Sequence, residues 1–231
     1  NSPGSQGQPD ANFGRYPPGS TFKVVTALAL LRSGLTADAM LTCNENTTVD
    51  GRQFKNYSEF PEARLGELSL ADAVAYSCNT ALIAQHGRIN ADQLRSAAQS
   101  LGLGADYDAG FPAFYGEVGT PPNVVGLAES MIGQGTVLAS PMAMAGVASS
   151  VEAGHTVVPY LVAGHKPVPA AQPLTPDEAR QLQSMMQAVV SKGTGTVLRG
   201  VADGAKTGTA EYGTETPLRT HAWTIAYGND L

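Results

Sequence analysis

The stretch Tyr16-Pro17-Pro18-Gly19-Ser20-Thr21-Phe22-Lys23-Val24-Val25-Thr26-Ala27-Leu28-Ala29-Leu30-Leu31 decides the fold. Pro17-Pro18-Gly19 stops any preceding structure. From there the sequence predicts a helix that is apolar nearly all round and closed by Gly34, so the helix belongs in the centre of the domain rather than on its surface. Pro18 stands where an early helical position tolerates proline, which puts Ser20 in the first turn. Ser20 and Lys23 lie three apart, on one helix face, so hydroxyl and amine can approach each other. A surface lysine that snorkels to water fits poorly in such a helix, and a desolvated amine is expected instead.

Around this helix the chain has 231 residues, room for one large domain or two small ones, and it needs neither disulfide nor metal to build a core. Apolar residues make up 42% of it, near globular usage, and charged residues 15%, which is low. The net charge of -6 argues against a nucleic-acid binder. Cys43 and Cys78 are too few for a disulfide scaffold or a four-ligand zinc site. Two buried thiols are the expectation, with pairing between them left open. His86, His155, His165 and His221 show no metal-like spacing, and neither metal nor cofactor is expected. No apolar run has membrane-spanning length and no signal peptide is visible, so any targeting segment is expected outside this sequence.

Residues 1–19, rich in Gly, Pro, Ser, Gln and Asn, read as loop or extended chain, with 1–15 a flexible lead-in. Residues 41–60 read as a short hairpin or loop. Ser69-Leu70-Ala71-Asp72 resembles a capping box opening a helix toward Tyr76, followed by helix from Thr80 to Gln85. Asn90 caps a helix ending at Gly102; helices are predicted again near 123–132 and 141–153, with loop over 104–122. Thr156–Val162 reads as a strand with Pro159 at an edge or bulge. Leu182, Met185, Met186, Val189 and Val190 mark one face of an amphipathic helix that starts at Pro176 and ends at Gly193 and Gly195. Residues 201–212 and 220–228 read as two strands joined as a hairpin near 213–219. Helices first and strands last predict an α+β fold, with helices packed on an antiparallel β-sheet.

Three short motifs carry the chemistry: Ser20-x-x-Lys23, Ser77-x-Asn79 and Lys206-Thr207-Gly208. Singly they are weak; an S-x-x-K arises by chance roughly once in a chain this size, and K-T-G in about one such chain in twenty. A serine alcohol is a poor nucleophile until a base takes its proton, and a lysine serves as that base only when burial or a neighbouring cation lowers its pKa. A helix N-terminus beside Ser20 offers outward backbone N–H groups for an oxyanion. Lys206, Thr207 and Thr209 on an apparent edge strand suit a substrate carboxylate, and Gly208 would let substrate approach the backbone. Ser77 could relay a proton and Asn79 hydrogen-bond a substrate amide, although alone the pair reads as a cap between two helices.

Together the motifs resemble those of penicillin-binding proteins and serine β-lactamases. Tyr16–Lys23 is similar to the PGSTFK segment of class B penicillin-binding proteins, including actinobacterial members, and Tyr76-Ser77-Cys78-Asn79-Thr80-Ala81 to their SCNTAF segment. Ile132-Gly133-Gln134-Gly135 with Ser140–Ala145, and Gly193-Thr194-Gly195-Thr196 with Lys206–Glu211, resemble their GQG and GTG…KTGTAE regions. The resemblance spans most of residues 13–228, and all 231 are assigned to one partial penicillin-binding transpeptidase domain.

It implies a five-stranded antiparallel sheet flanked by helices with an all-helical subdomain. It further implies a serine D,D-transpeptidase that cross-links peptidoglycan stem peptides ending in D-Ala-D-Ala. Ser20 would form the acyl-enzyme, Lys23 would deprotonate it and Ser77 would pass a proton to the departing D-alanine. Asn79 would bind the donor amide, while Lys206, Thr207 and Thr209 would hold the terminal carboxylate beside Gly208. The N–H groups of Ser20 and Thr209 would form the oxyanion hole. β-Lactam antibiotics as ligands, cell-wall synthesis proteins as partners and a location on the extracytoplasmic face of the bacterial membrane follow from the same resemblance.

Ala205 stands where the family usually has glycine. Strands before the first motif, and a strand and helix after the Trp223 strand, are absent from the sequence, so a trimmed sheet with exposed edges is expected. Competing readings are a β-lactamase or D,D-carboxypeptidase of the same fold, with Glu117 or Glu129 as a deacylating base by position alone, and a non-catalytic β-lactam sensor or scaffold.

Overall fold

The computed structural model describes residues 7, 9–105, 107–108, 110–161, 172–212 and 219–228. After Pro9 the chain makes one helical turn, α1 (Asp10–Phe13), and then Tyr16 bridges to Ala139, so the lead-in is neither extended nor loop throughout. A 3-10 turn over Gly19–Phe22 runs straight into α2 (Lys23–Arg32), the predicted central helix. Every residue of α2 from Lys23 to Leu31 is buried.

The predicted hairpin region resolves into two antiparallel ribbons. Strand β1 (Met40–Cys43) pairs with β4 (Gly66–Ser69), and between them β2 (Asn46–Val49) pairs with β3 (Arg52–Lys55). Ser69 caps α3 (Leu70–Ala75) by accepting from the Asp72 N–H at 3.0 Å. Asp72 does not complete the box; its carboxylate pairs with Lys192 at 2.6 Å. Helix α4 (Asn79–Ile83) follows, then α5 (Ala91–Ser100), opened by a full capping box between Asn90 and Gln93. Beyond it come β5 (Glu117–Val118), α6 (Val124–Ser130), β6 (Val137–Leu138), paired with β5, and α7 (Pro141–Ala153).

The strand expected at Thr156–Val162 is absent: residues 155–160 have no regular structure, and Val162 lies outside the described residues. Side chains replace the ladder there. Ser150 Oγ accepts the Val157 N–H at 2.8 Å, Thr156 Oγ1 donates to the Ser100 carbonyl at 2.8 Å, and Tyr115 donates to the Pro159 carbonyl at 2.8 Å. Pro159 has no N–H to add to a strand.

Helix α8 (Pro176–Ser191) buries all five predicted face residues. Strands β7 (Gly204–Tyr212) and β8 (Arg219–Tyr227) form a nine-pair antiparallel ribbon; of the turn predicted near 213–219, residues 213–218 lie outside the described residues and Arg219 already belongs to β8. Among the described residues this sheet has two strands where the resemblance implies five. Helix α8 and the Gly19–Phe22 turn pack on β7, α7 packs on β8, and α2 touches α3, α5 and α8. Arg32 fastens that arrangement: from the end of α2 it donates to Glu178 Oε1 of α8 at 3.0 Å and to Ser100 Oγ of α5 at 2.8 Å. The α+β class expected from the order of elements is the one observed.

Cys43 and Cys78 are not two free thiols but one disulfide. Composition gave no reason to pair them, because the contact is made by the tertiary fold: Thr80 Oγ1 at the start of α4 donates to the Asn44 carbonyl at 2.6 Å, which lays the end of β1 beside Cys78. The bond closes a sequence separation of 35. Replacing both cysteines by serine is expected to lower the unfolding free energy by about 3–4 kcal/mol through loop-closure entropy, read by urea denaturation. A loss below about 1 kcal/mol would show that the fold holds this junction without the bond.

Candidate functional site

The site forms where the 19–22 turn, the start of α4 and β7 meet. Three glycines permit that meeting. Gly19 and Gly133 have positive φ, +53° and +72°, and Gly19 N–H donates to the Gly133 carbonyl at 2.9 Å. A Cβ at Gly208 would lie 2.8 Å from the Thr21 nitrogen. Glycine in the third motif therefore lets β7 lie flat against the turn that carries Ser20, a packing role distinct from the substrate approach expected of it.

Ser20 is half-buried and lines an open cleft of about 870 Å3. Ser77, Asn79, Thr207, Gly208 and Thr209 line the same cleft, so the motifs converge on one place. Thr194, from the GTG segment, joins them through a 2.5 Å hydrogen bond to Thr207 Oγ1. The far wall is built by residues 52–59, which the sequence had shown only as a hairpin or loop.

Lys23 and Lys206 lie beneath the cleft, each 0% exposed. Lys206 therefore does not project from the strand as expected: it donates to Ser77 Oγ at 3.1 Å and to the Thr207 carbonyl at 2.8 Å. Lys23 donates to the Ser77 carbonyl at 2.7 Å, to Ser77 Oγ at 3.0 Å and to Asn79 Oδ1 at 2.6 Å. None of these bonds goes to Ser20, although the three-residue spacing predicted an approach.

One serine hydroxyl thus bridges two buried amines. Burial, and then the charge of Lys206, hold the Lys23 pKa well below the ordinary lysine value. Burial alone brings Lys206 down to about 7. The hydrogen-bond inventory gives the consequence. A charged Lys23 fills all three N–H bonds with its three acceptors. A neutral Lys23 keeps two N–H bonds, for the Ser77 carbonyl and Asn79 Oδ1, and its lone pair is then free to take a proton from a hydroxyl. Ser77, held between the amines, can accept from Lys206 while donating to Lys23, which makes a proton path of three groups.

Ser77 is held in the left-handed region at φ +61°, a conformation uncommon outside glycine, asparagine and aspartate. Neither Ser77 nor Asn79 caps α4, as the isolated pair had suggested. Cys78 is the N-cap residue, and the N–H groups of Asn79 and Thr80 go instead to Asn56 Oδ1, at 2.8 and 3.2 Å. Sequence reasoning missed Asn56, because nothing local links it to a motif more than twenty positions on. Neither Glu117 nor Glu129 lines the cleft; Glu129 pairs with Arg52 at 2.5 Å. Among the described residues no group of three or more His, Cys, Asp or Glu side chains could hold a metal, and no helix is long and apolar enough to cross a membrane.

A family model described as the penicillin binding protein transpeptidase domain matches residues 6–230. The chain is 35% identical over 231 residues to the peptidoglycan D,D-transpeptidase PbpA of Mycobacterium tuberculosis, covering 92% of this chain and 47% of that protein. The penicillin G acyl-enzyme complex of penicillin-binding protein A from M. tuberculosis matches with a TM-score of 0.82 at 32% identity, over 98% of this chain and 55% of that one. The D,D-transpeptidase domain of a peptidoglycan glycosyltransferase from Eggerthella lenta shares the fold, with a TM-score of 0.79 at 24% identity over 98% of this chain and 60% of that one. The chain spans about half the length of the curated relatives it matches.

The buried lysines give stability a pH dependence of definite sign. Between a depressed native pKa and the ordinary value, the unfolded chain binds more protons than the native one, so stability rises with pH. For Lys206 that window runs from about 7 to 10.5. Unfolding free energy measured in urea is expected to climb across it, and Lys206→Met to flatten the climb. A profile in the wild type as flat as the variant's would show that Lys206 keeps its ordinary pKa in the fold.

Proposed function

The chain belongs to the penicillin-binding protein transpeptidase family, and on that premise we propose that it is a serine D,D-transpeptidase domain, residues 1–231, which cross-links peptidoglycan stem peptides through an acyl-enzyme on Ser20. The observation that carries the reading is the pair of fully buried lysines sharing the Ser77 hydroxyl under the cleft that Ser20 lines.

The reaction follows from the groups present. Neutral Lys23 takes the Ser20 hydroxyl proton as Oγ bonds to the carbonyl carbon of the penultimate D-alanine. The N–H groups of Ser20 and Thr209 hold the oxyanion. The proton passes from Lys23 through Ser77 to the nitrogen of the terminal D-alanine, the C–N bond breaks, and an ester on Ser20 remains. An acceptor amine then attacks that ester, its proton returns along the same path to Ser20 Oγ, and the new amide leaves. Thr207 and Thr209 line the cleft and hold the terminal carboxylate. Lys206 sits below the surface, so its part is to keep Ser77 oriented and to depress the Lys23 pKa. Asn79 retains one N–H and one lone pair beyond its bonds to the Lys55 carbonyl and Lys23, enough to bind a peptide amide.

A β-lactam offers the same carbonyl with its leaving nitrogen tethered in the acyl group, so that nitrogen cannot depart to make room for an acceptor amine and the ester persists. The absence of Glu117 and Glu129 from the cleft lining favours this over the β-lactamase reading. The Cys43–Cys78 disulfide supports an oxidising, extracytoplasmic setting.

Intact-protein mass after mixing with a penicillin tests the proposal. A stable gain of one drug mass, absent in Ser20→Ala, is the expected result. Lys23→Ala is expected to slow acylation by about 10²–10⁴-fold, and the wild-type rate to rise with pH as Lys23 loses its proton. No adduct with the drug hydrolysed would turn the reading to a β-lactamase; no adduct with the drug intact would make the domain non-catalytic.

A further inference from the structure

We propose that Asn56 is a positioning residue for this reaction, holding the Ser77–Thr80 segment in the register at which Ser77 and Asn79 face Lys23. The inference rests on the reading of Ser20 and Lys23 given above.

Asn56 follows β3 directly and stands at the cleft wall. Its side chain uses both ends. Oδ1 accepts the Asn79 N–H at 2.8 Å and the Thr80 N–H at 3.2 Å, the two backbone donors that open α4. Nδ2 donates to the Asn44 carbonyl at 3.1 Å, and the same carbonyl accepts from Thr80 Oγ1 at 2.6 Å. One residue earlier, the Lys55 carbonyl accepts Asn79 Nδ2 at 2.8 Å. That last bond fixes which end of the Asn79 amide is which: nitrogen toward β3, oxygen toward Lys23 at 2.6 Å.

The residues between β3 and the first turn of α4 therefore form a template on which the second motif is laid. Asn79 cannot turn its amide without losing the Lys55 carbonyl. The backbone entering α4 cannot shift without losing Asn56 Oδ1. Ser77, two residues before Asn79, is in the left-handed region and makes two of the three Lys23 contacts, so a displacement at Asn79 reaches Lys23 through both residues. Asn56 is needed as an acceptor toward α4 and as a donor toward β1. Aspartate can supply the first, with oxygens that suit helix N-termini, and alanine neither.

The test uses Asn56→Ala, Asn56→Asp, Asn79→Ala and the double variant Asn56→Ala/Asn79→Ala, all at a temperature where each is folded. The second-order rate of acylation by a penicillin is read by intact mass, and amide exchange is followed at Asn79 and Thr80. Asn56→Ala is expected to slow acylation by about ten- to a hundred-fold, the scale of a misplacement near 1 Å, and to speed exchange at both amides. Asn56→Asp is expected to recover most of the rate. In the Asn79→Ala background the same Asn56→Ala change is expected to cost much less, because coupled residues are not additive. Acylation unchanged in Asn56→Ala, or slowed equally in both backgrounds, would overturn the proposal. A folded wild type that is not acylated would refute the reading of Ser20 and Lys23 instead; the exchange at Asn79 and Thr80 then decides on its own whether Asn56 holds the segment.

Discussion

Two amines removed from water beneath one serine hydroxyl are the constraint on which the rest of the structure depends. A buried ammonium is expensive unless its donors are satisfied, and two side by side repel each other as well. The fold answers the first cost with acceptors for Lys23 and Lys206, and answers the second by pushing both pKa values down. It can do so because α2 is apolar nearly all round and is packed among α3, α5 and α8, so that its first turn is buried. The core that makes this domain stable and the chemistry proposed for it are thus the same feature seen from two ends of one helix.

The order in the chain serves that feature. The turn at Gly19–Phe22 and strand β7 are pressed together at glycines, which brings Lys206 under Ser77 from one side while α2 brings Lys23 from the other. The Arg32 contacts to Glu178 and Ser100 hold the far end of α2, more than two turns from Lys23. A helix fastened at its C-terminal end and pinched at its N-terminal end has little freedom to rotate its first turn. Rotation there would swing the amine off Ser77.

Much of this was legible in the sequence because it is local. The all-apolar character of α2, the Asn90 cap of α5 and the five-residue face of α8 are signals within one element, and each appears where it was read. What failed was long-range. The residues from Thr156 have strand composition, yet they spend backbone groups on the Ser150 and Tyr115 hydroxyls brought in by other elements, while Thr156 spends its own hydroxyl on the Ser100 carbonyl. The three-residue spacing of Ser20 and Lys23 spoke of those two residues alone. It did not foretell that Lys23 would be claimed by Ser77 and Asn79 from more than fifty positions away. The Cys43–Cys78 bond and Asn56 belong to the same class, contacts that exist only once β1, β3 and α4 have been assembled.

The conformation of Ser77 connects these long-range contacts. A non-glycine residue in the left-handed region costs about 1–3 kcal/mol and persists only where its surroundings over-determine it. Here they do. Upstream, the Ser77 N–H donates to the Val74 carbonyl at 3.2 Å and Lys23 takes the Ser77 carbonyl at 2.7 Å. Downstream, Cys78 is bonded covalently to the end of β1, and the residues after it are held by Asn56. Without the left-handed turn the chain would continue from α3 into α4 with the serine side chain directed elsewhere. With it, the hydroxyl is turned down between the two lysines while Asn79 stays at the cleft. A glycine would adopt that turn freely but would bring no hydroxyl, so the strain at Ser77 follows from holding a left-handed residue and the proposed proton carrier at one position.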